Sequence, residues 1–205
     1  MNKLKIIVSI LLVFLLMSSC AATRLTSAWK DEKYSGGGFN HILVVGISEK
    51  PNNRKMFEEA FSIQLKAVGV DAVPSFTLIV SGKKLNKNTI QAAAEKIKAD
   101  AILVTSLIAA EEKEVYVPPV SPSVTFGQRY QFDRRFPTEG KYAHTPGHYI
   151  QQKSVRLESN LYEAREKKMI WTATSETIDL ETVDEIVNSL AKVVIKSLRD
   201  YKLIK

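Results

Sequence analysis

The residue with the most distinctive chemistry in this sequence is its only thiol. Cysteine occurs once in 205 residues, at Cys20, directly after an apolar run and two serines. A thiol can act as a nucleophile, a metal ligand or a disulfide partner, but with no second cysteine no disulfide can form within the chain. The chemistry of Cys20 therefore depends on the segment that precedes it.

Histidines and paired acids are the other candidates for chemistry. His144 and His148 are four residues apart, but a Pro-Gly pair lies between them and breaks the helix that would place both rings on one face. Adjacent acids such as Glu111 and Glu112 stand in a polar context typical of solvated side chains, and no G-x-S-x-G nucleophile motif occurs. We therefore expect no catalytic residue, no metal site and no cofactor, and predict that the protein is not an enzyme.

The N-terminal segment has the layout of a secretory signal. Lys3 and Lys5 are followed by an uncharged, mainly apolar run over residues 6–19, and small residues surround Cys20. Because a membrane-spanning helix needs about 20 apolar residues, this shorter run favours a segment that is removed after export.

The residues Met17-Ser18-Ser19-Cys20 resemble the lipobox of bacterial lipoproteins. The resemblance implies cleavage between Ser19 and Cys20 and a diacylglyceryl thioether on the Cys20 sulfur, with acylation of the new α-amine as well. It also implies that Ala21, where inner-membrane lipoproteins commonly carry aspartate, directs the protein to the periplasmic face of the outer membrane. The covalent lipid on Cys20 would then be the membrane anchor.

Composition and pattern after Cys20 predict one α/β domain. The formal net charge of the whole chain is +7, a modest excess that does not form the concentrated basic stripe of a nucleic-acid-binding protein. A lipidated tether is expected over residues 20–39, where Trp29 either packs on the domain or contacts the membrane surface. Pro74 places the second predicted strand at or near a sheet edge. The expected α/β (α+β) architecture over residues 40–205 is a two-layer or three-layer sandwich, with a mixed sheet of about five strands and three helices in the order β-α-β-α-β-(long insertion)-β-β-α.

Four local features support the predicted elements. The apolar run from Ile42 to Ile47 is typical of a strand covered on both faces. Asn88 is the expected N-cap of the second helix, and Thr182 with Glu185 forms the expected capping box of the last helix. Alternation of apolar and polar residues on either side of "REKK" predicts a hairpin near the C-terminus.

The insertion at residues 116–149 is the leading candidate for partner contact. It contains five of the seven prolines, and its aromatic residues alternate with basic residues. Long loops of this kind are usually functional or disordered, and aromatic and arginine side chains dominate interface hot spots. The alternative is that the insertion folds back and buries its rings on the domain. The candidate binding residues are Phe126, Arg129, Tyr130, Phe132, Arg134, Arg135, Phe136 and Tyr142.

Four stretches carry a second resemblance, "TSAWKDEKYSGGGF", "ILVVGIS", "GVDAVPS" and "ADAILVTSL". They are similar to a family of bacterial lipoproteins whose domain has no known function. The element order is also similar to the small α/β domains of penicillin-binding-protein activator lipoproteins, the TolB N-terminal domain and the curli-secretion lipoprotein. No binding residue of those proteins maps onto this chain.

Two hypotheses follow. The first is a non-catalytic, outer-membrane-anchored lipoprotein that binds a periplasmic protein or a cell-wall component through the insertion and binds no nucleic acid. The second is an envelope hydrolase or small-ligand-binding protein whose site lies under the insertion, with His144 and His148 as polar groups.

Overall fold

The computed structural model describes residues 23–36, 38–79, 85–119, 146–179 and 182–205. Within these ranges, six strands form one sheet in the order β1-β6-β5-β4-β2-β3. The strands are β1 (Thr23–Lys30), β2 (His41–Ile47), β3 (Asp71–Pro74), β4 (Ala101–Val117), β5 (His148–Glu163) and β6 (Met169–Ile178). The helices are α1 (Pro51–Ala67), α2 (Lys87–Ile97) and α3 (Val183–Asp200), with a short 3₁₀ helix at Ser75–Thr77.

The mixed sheet and three helices confirm the predicted fold class. β2 pairs in parallel with both β3 and β4, and β5 pairs with β6 in the expected antiparallel hairpin. Alternate residues of β2 enter two separate cores: Ile42 and Val44 pack with α1 and α3, whereas Leu43 and Val45 pack with α2. The sandwich therefore has three layers, and the uninterrupted apolar run of β2 reflects burial on both faces.

The predicted tether, residues 20–39, contains a strand in addition to the five that the sequence predicted. Thr23–Lys30 forms β1, which pairs antiparallel with β6, so the sheet begins at Thr23 instead of near residue 40. Most side chains of β1 are exposed, and only Thr23 is buried. An edge strand with so few covered side chains lacks the apolar alternation by which strands are found in sequence, because backbone hydrogen bonds attach it to the sheet.

The structure also tests the predicted position of β3 and the predicted N-caps of α2 and α3. β3 is one of the two edge strands, as Pro74 indicated, and the chain turns into the 3₁₀ helix directly after it. The prediction of Asn88 as the N-cap of α2 was wrong: Asn86 is the cap, and it exchanges hydrogen bonds with Thr89. The capping box of Thr182 and Glu185 at α3 is confirmed.

An ion pair connects the end of β1 to the β5–β6 turn. The Asp31 carboxylate contacts the Lys168 ammonium group and accepts a 2.9 Å hydrogen bond from the Lys33 backbone N–H. The Lys168 hydrogen bond, followed by that of Lys33, lowers the pKa of Asp31 below its ordinary value of 3.8. The same pair raises the pKa of Lys168 above 10.5. The ion pair therefore stabilises the folded state at pH values between the pKa of Asp31 and the pKa of Lys168.

We expect this stabilisation to fade at acidic pH. Because the pKa of Asp31 is lower in the folded state, its contribution is present above pH 3.8 and is lost as the pH falls through the folded-state value. Asp31→Asn should therefore lower the free energy of unfolding at neutral pH and bring the variant closer to the wild type at acidic pH. Urea unfolding across this range measures the difference, with Glu32→Gln as control. A constant gap between Asp31→Asn and the wild type would contradict the assignment.

Candidate functional site

The predicted binding residues of the insertion lie outside the described residues, which end at 119 and resume at 146. Cys20, Ser19 and His144 also lie outside them. The structure therefore does not place Phe126, Arg129, Tyr130, Phe132, Arg134, Arg135, Phe136 or Tyr142.

The described base of the insertion is a two-stranded ribbon. The chain divides into two compact units, and the second of them, Glu111–Lys153, contains the ends of β4 and β5. The Gln151 side-chain amide donates a 2.8 Å hydrogen bond to Glu114, and the rings of Tyr116 and Tyr149 lie 5.2 Å apart between centroids. From the first pair to the second, the residue number rises from 114 to 116 in β4 and falls from 151 to 149 in β5. This part of the ribbon is therefore antiparallel. The strands run to Val117 and from His148, so regular structure extends slightly into the predicted insertion.

The two tyrosines form an exposed aromatic pair. Tyr116 is 51% exposed and Tyr149 is 70% exposed, and their ring planes are tilted by 52°. Val115 and Ile150 beside them are also partly exposed. Exposed aromatic groups supported by a strand pair present a rigid apolar surface at low entropic cost to a partner. Tyr116 and Tyr149 are the first and last residues of the predicted insertion, but neither is among the candidate binding residues predicted from the sequence.

The described histidines do not combine with a nucleophile. His148 is an exposed residue at the start of β5. His41 Nδ1 lies 2.6 Å from Asp71 Oδ2, and its Nε2 is buried without a hydrogen-bond partner. The pair stands at the amino-terminal ends of β2 and β3, where it connects two parallel strands. Among the described residues, no group of three or more His, Cys, Asp or Glu side chains could hold a metal ion.

A buried charged cluster lies at the opposite ends of these strands. Glu58 of α1 is fully buried, and its Oε1 accepts hydrogen bonds from Arg54 Nε at 2.8 Å, Ser75 Oγ at 2.7 Å and Gly46 N–H at 3.0 Å. Its Oε2 accepts a 2.6 Å bond from the Phe76 N–H, and Arg54 Nη2 donates to Ser75 Oγ at 2.8 Å. With four donors on one carboxylate, the cluster fastens α1 to β2 and to the 3₁₀ helix. We interpret it as structural, because Glu58 is closed to solvent and its donors satisfy both oxygens.

Sequence reasoning missed this cluster. Arg54 and Glu58 are four residues apart, a spacing usual for a solvated ion pair on a helix surface. The partners Gly46 and Ser75 are 12 and 17 residues from Glu58 in sequence. The only available signal was the position of Glu58 directly after Phe57, within the buried stripe of α1.

Two cavities flank the start of α1. The larger, of about 460 Å³, is lined by residues including Ser48, Glu49, Lys55 and Phe76, and Lys55 Nζ lies 5.7 Å from the Phe76 ring centroid. The smaller is an apolar groove of about 230 Å³ between α1, α3 and the sheet. Its lining includes apolar residues of β2, β4, β5 and α3. None of the described residues that line either cavity is a histidine or cysteine.

No helix among the described residues is long and apolar enough to cross a membrane.

Comparison with known proteins gives structural likeness only. No family model matches the chain, and no curated protein matches it. The chain is similar to the PelC L103M dodecamer from Paraburkholderia phytofirmans, with 15% identity, a TM-score of 0.45 and coverage of 84% of this chain and 94% of that chain. It is also similar to the lipoprotein GNA1162 from Neisseria meningitidis, with 14% identity, a TM-score of 0.43 and coverage of 78% and 99%. A putative neuraminyllactose-binding hemagglutinin homolog from Helicobacter pylori is similar at 11% identity and a TM-score of 0.30, over 85% and 90% of the two chains.

Proposed function

We propose that this chain is a non-catalytic lipoprotein, anchored through lipid on Cys20 at the periplasmic face of the outer membrane. In this proposal, the insertion at residues 116–149 binds a periplasmic protein or a cell-wall component. The membrane holds the protein in place, and the insertion supplies the contact.

The exposed tyrosine pair is the observation that carries the binding proposal. Tyr116 and Tyr149 stand at the base of an insertion whose remaining residues continue the same aromatic and arginine composition. Exposed rings next to arginine-rich sequence match the residue types that dominate protein interfaces and that stack on sugar rings. The described part of the insertion thus leaves its aromatic groups accessible to a partner.

Two further observations support the proposal. Cys20 is the only thiol, and it follows a signal-like segment. The charged cluster with the features of an active site, around Glu58, has its carboxylate fully buried and occupied by protein donors. A general base must reach a substrate proton, which this carboxylate cannot do without unfolding its surroundings.

Photocrosslinking in intact cells tests the binding proposal. A benzophenone amino acid at Tyr149 or Phe132 should capture the partner in a discrete adduct, because both positions belong to the insertion. The matched control is Ile63 on α1, which is 62% exposed but lies in the other compact unit. Adducts should be absent at Ile63. If Tyr149, Phe132 and Ile63 all give the same background, the insertion is not the contact surface.

A further inference from the structure

The point where β1 begins limits how far the folded protein can stand from its anchor. Thr23 is 3% exposed, and its hydroxyl lies 2.7 Å from that of Thr177 in β6. Only two residues separate Thr23 from Cys20. Three extended residue steps span at most about 11 Å, at about 3.6 Å each. A lipid on Cys20, as the proposed function holds, would therefore keep this end of β1 close to the bilayer.

The strand register shows which residues share that level. Leu25 pairs with Ser175 of β6, and Ser175 pairs with Leu157 of β5. Leu107 of β4 lines the small apolar groove together with Leu157. Leu107 thus lies near the level of Leu25, two positions or about 7 Å along β1 from Thr23.

Four exposed apolar side chains lie at this end of the first compact unit. Leu107 is 56% exposed and the next residue, Ile108, is 51% exposed. Ile47 at the end of β2 and Val183 at the start of α3 are 42% and 37% exposed, and both line the same groove as Leu107. We name these four residues the anchor rim. Apolar surface exposed to water is unfavourable, so covering this rim lowers the free energy.

The long edge of β1 is a weaker alternative for membrane contact. Its exposed side chains are mainly polar and include Arg24, Thr26 and Ser27. Its one large exposed apolar group is Trp29, at 48%, which lies six positions or about 20 Å from Thr23. The anchor rim therefore offers more apolar surface, and offers it closer to Cys20.

We propose that the anchor rim docks on the lipid bilayer and holds the first compact unit in one orientation. The lipid on Cys20 brings the rim to the membrane, and Ile47, Leu107, Ile108 and Val183 insert at the level of the headgroups. Charges of both signs lie near the rim: Asp184 and Glu185 in the first turn of α3, and the exposed Lys55, which lines the larger cavity together with Ile47.

Site-specific fluorescence on the lipidated protein tests the orientation. In Leu107→Cys, the introduced thiol is the only reactive one, because lipid occupies the Cys20 sulfur. An environment-sensitive dye is attached there, and the protein is reconstituted into vesicles of phosphatidylethanolamine with a minority of phosphatidylglycerol. We expect a blue-shifted emission that spin-labelled lipid quenches. Ile108→Cys provides a second site if the first variant folds poorly.

The control site is Met169, at the start of β6. It is 36% exposed and apolar like the rim, but it lies at the opposite end of the sheet from the paired residues Thr23 and Thr177. Dye at Met169→Cys should keep its aqueous emission and escape quenching.

Three results would overturn the proposal. If the protein floats with the vesicles but dye at the rim stays in water, the anchor holds and the docked orientation is wrong. Equal quenching at Leu107 and Met169 would also contradict a single rim-down orientation. Failure of the unlabelled wild type to float would refute the lipid anchor itself and, with it, the docking that depends on it.

Discussion

Glu58→Ala is expected to lower the free energy of unfolding by about 3–5 kcal/mol, which is the usual cost of removing one partner from a buried ion pair. Arg54 is only 9% exposed and would keep its charge without the carboxylate that it contacts at 2.8 Å. The N–H groups of Gly46 and Phe76 would lose their acceptor as well. Urea unfolding followed by far-ultraviolet circular dichroism measures this loss.

The neighbouring Glu59 provides the matched control. It is exposed on the same helix, so Glu59→Ala should change the free energy of unfolding by no more than about 0.5 kcal/mol. A double variant, Arg54→Met with Glu58→Leu, removes both charges and should be less destabilised than Glu58→Ala alone. Equal effects of Glu58→Ala and Glu59→Ala would show that the buried cluster does not secure α1.

The cluster also illustrates which parts of this protein can be predicted from sequence. Local periodicity predicts α1, α3 and the buried strand β2. A buried helix face or a buried strand produces a regular pattern of apolar residues that are close together in sequence. The partners of Glu58 come from three separate elements, so no local pattern identifies them. Glu58 looks like an ordinary member of a helical ion pair until the fold places Gly46 and Ser75 beside it.

The strand β1 was missed for a related reason. Its pairing with β6 joins residues about 150 positions apart, as in the contact of Thr23 with Thr177. The polar side chains of β1 are compatible with a tether. The segment forms a strand because its backbone pairs with the edge of β6. For the candidate site, the sequence was enough to predict the insertion and the types of residue in it. The contact of Tyr116 with Tyr149 could not be predicted, because it depends on how β4 and β5 align.

Because β1 is a strand, a lipid anchor on Cys20 would hold the domain close to the membrane. A tether reaching to residue 39 would have let the domain move freely above the membrane, whereas a sheet that starts at Thr23 leaves two residues for that purpose. Lipidation of Cys20 would thus determine both where the protein is held and how closely. Loss of the thiol should therefore have the largest effect of any single substitution on location.

Cys20→Ser should abolish lipid attachment and remove the protein from the outer-membrane fraction. Serine lacks the sulfur needed for the thioether, and without the lipid the resemblance to the lipobox implies no cleavage, so the variant should remain a precursor 19 residues longer than the mature chain. Each buried methylene contributes about 0.8 kcal/mol, so two or three acyl chains hold a protein on a membrane almost permanently, and their loss should be nearly complete in its effect. Labelled palmitate incorporation, intact mass and membrane fractionation measure the three consequences, with Ser18→Ala as a control that keeps a small residue before the thiol. A Cys20→Ser protein that still fractionates with the outer membrane like the wild type would refute the anchor and leave the short distance from Cys20 to β1 without functional meaning.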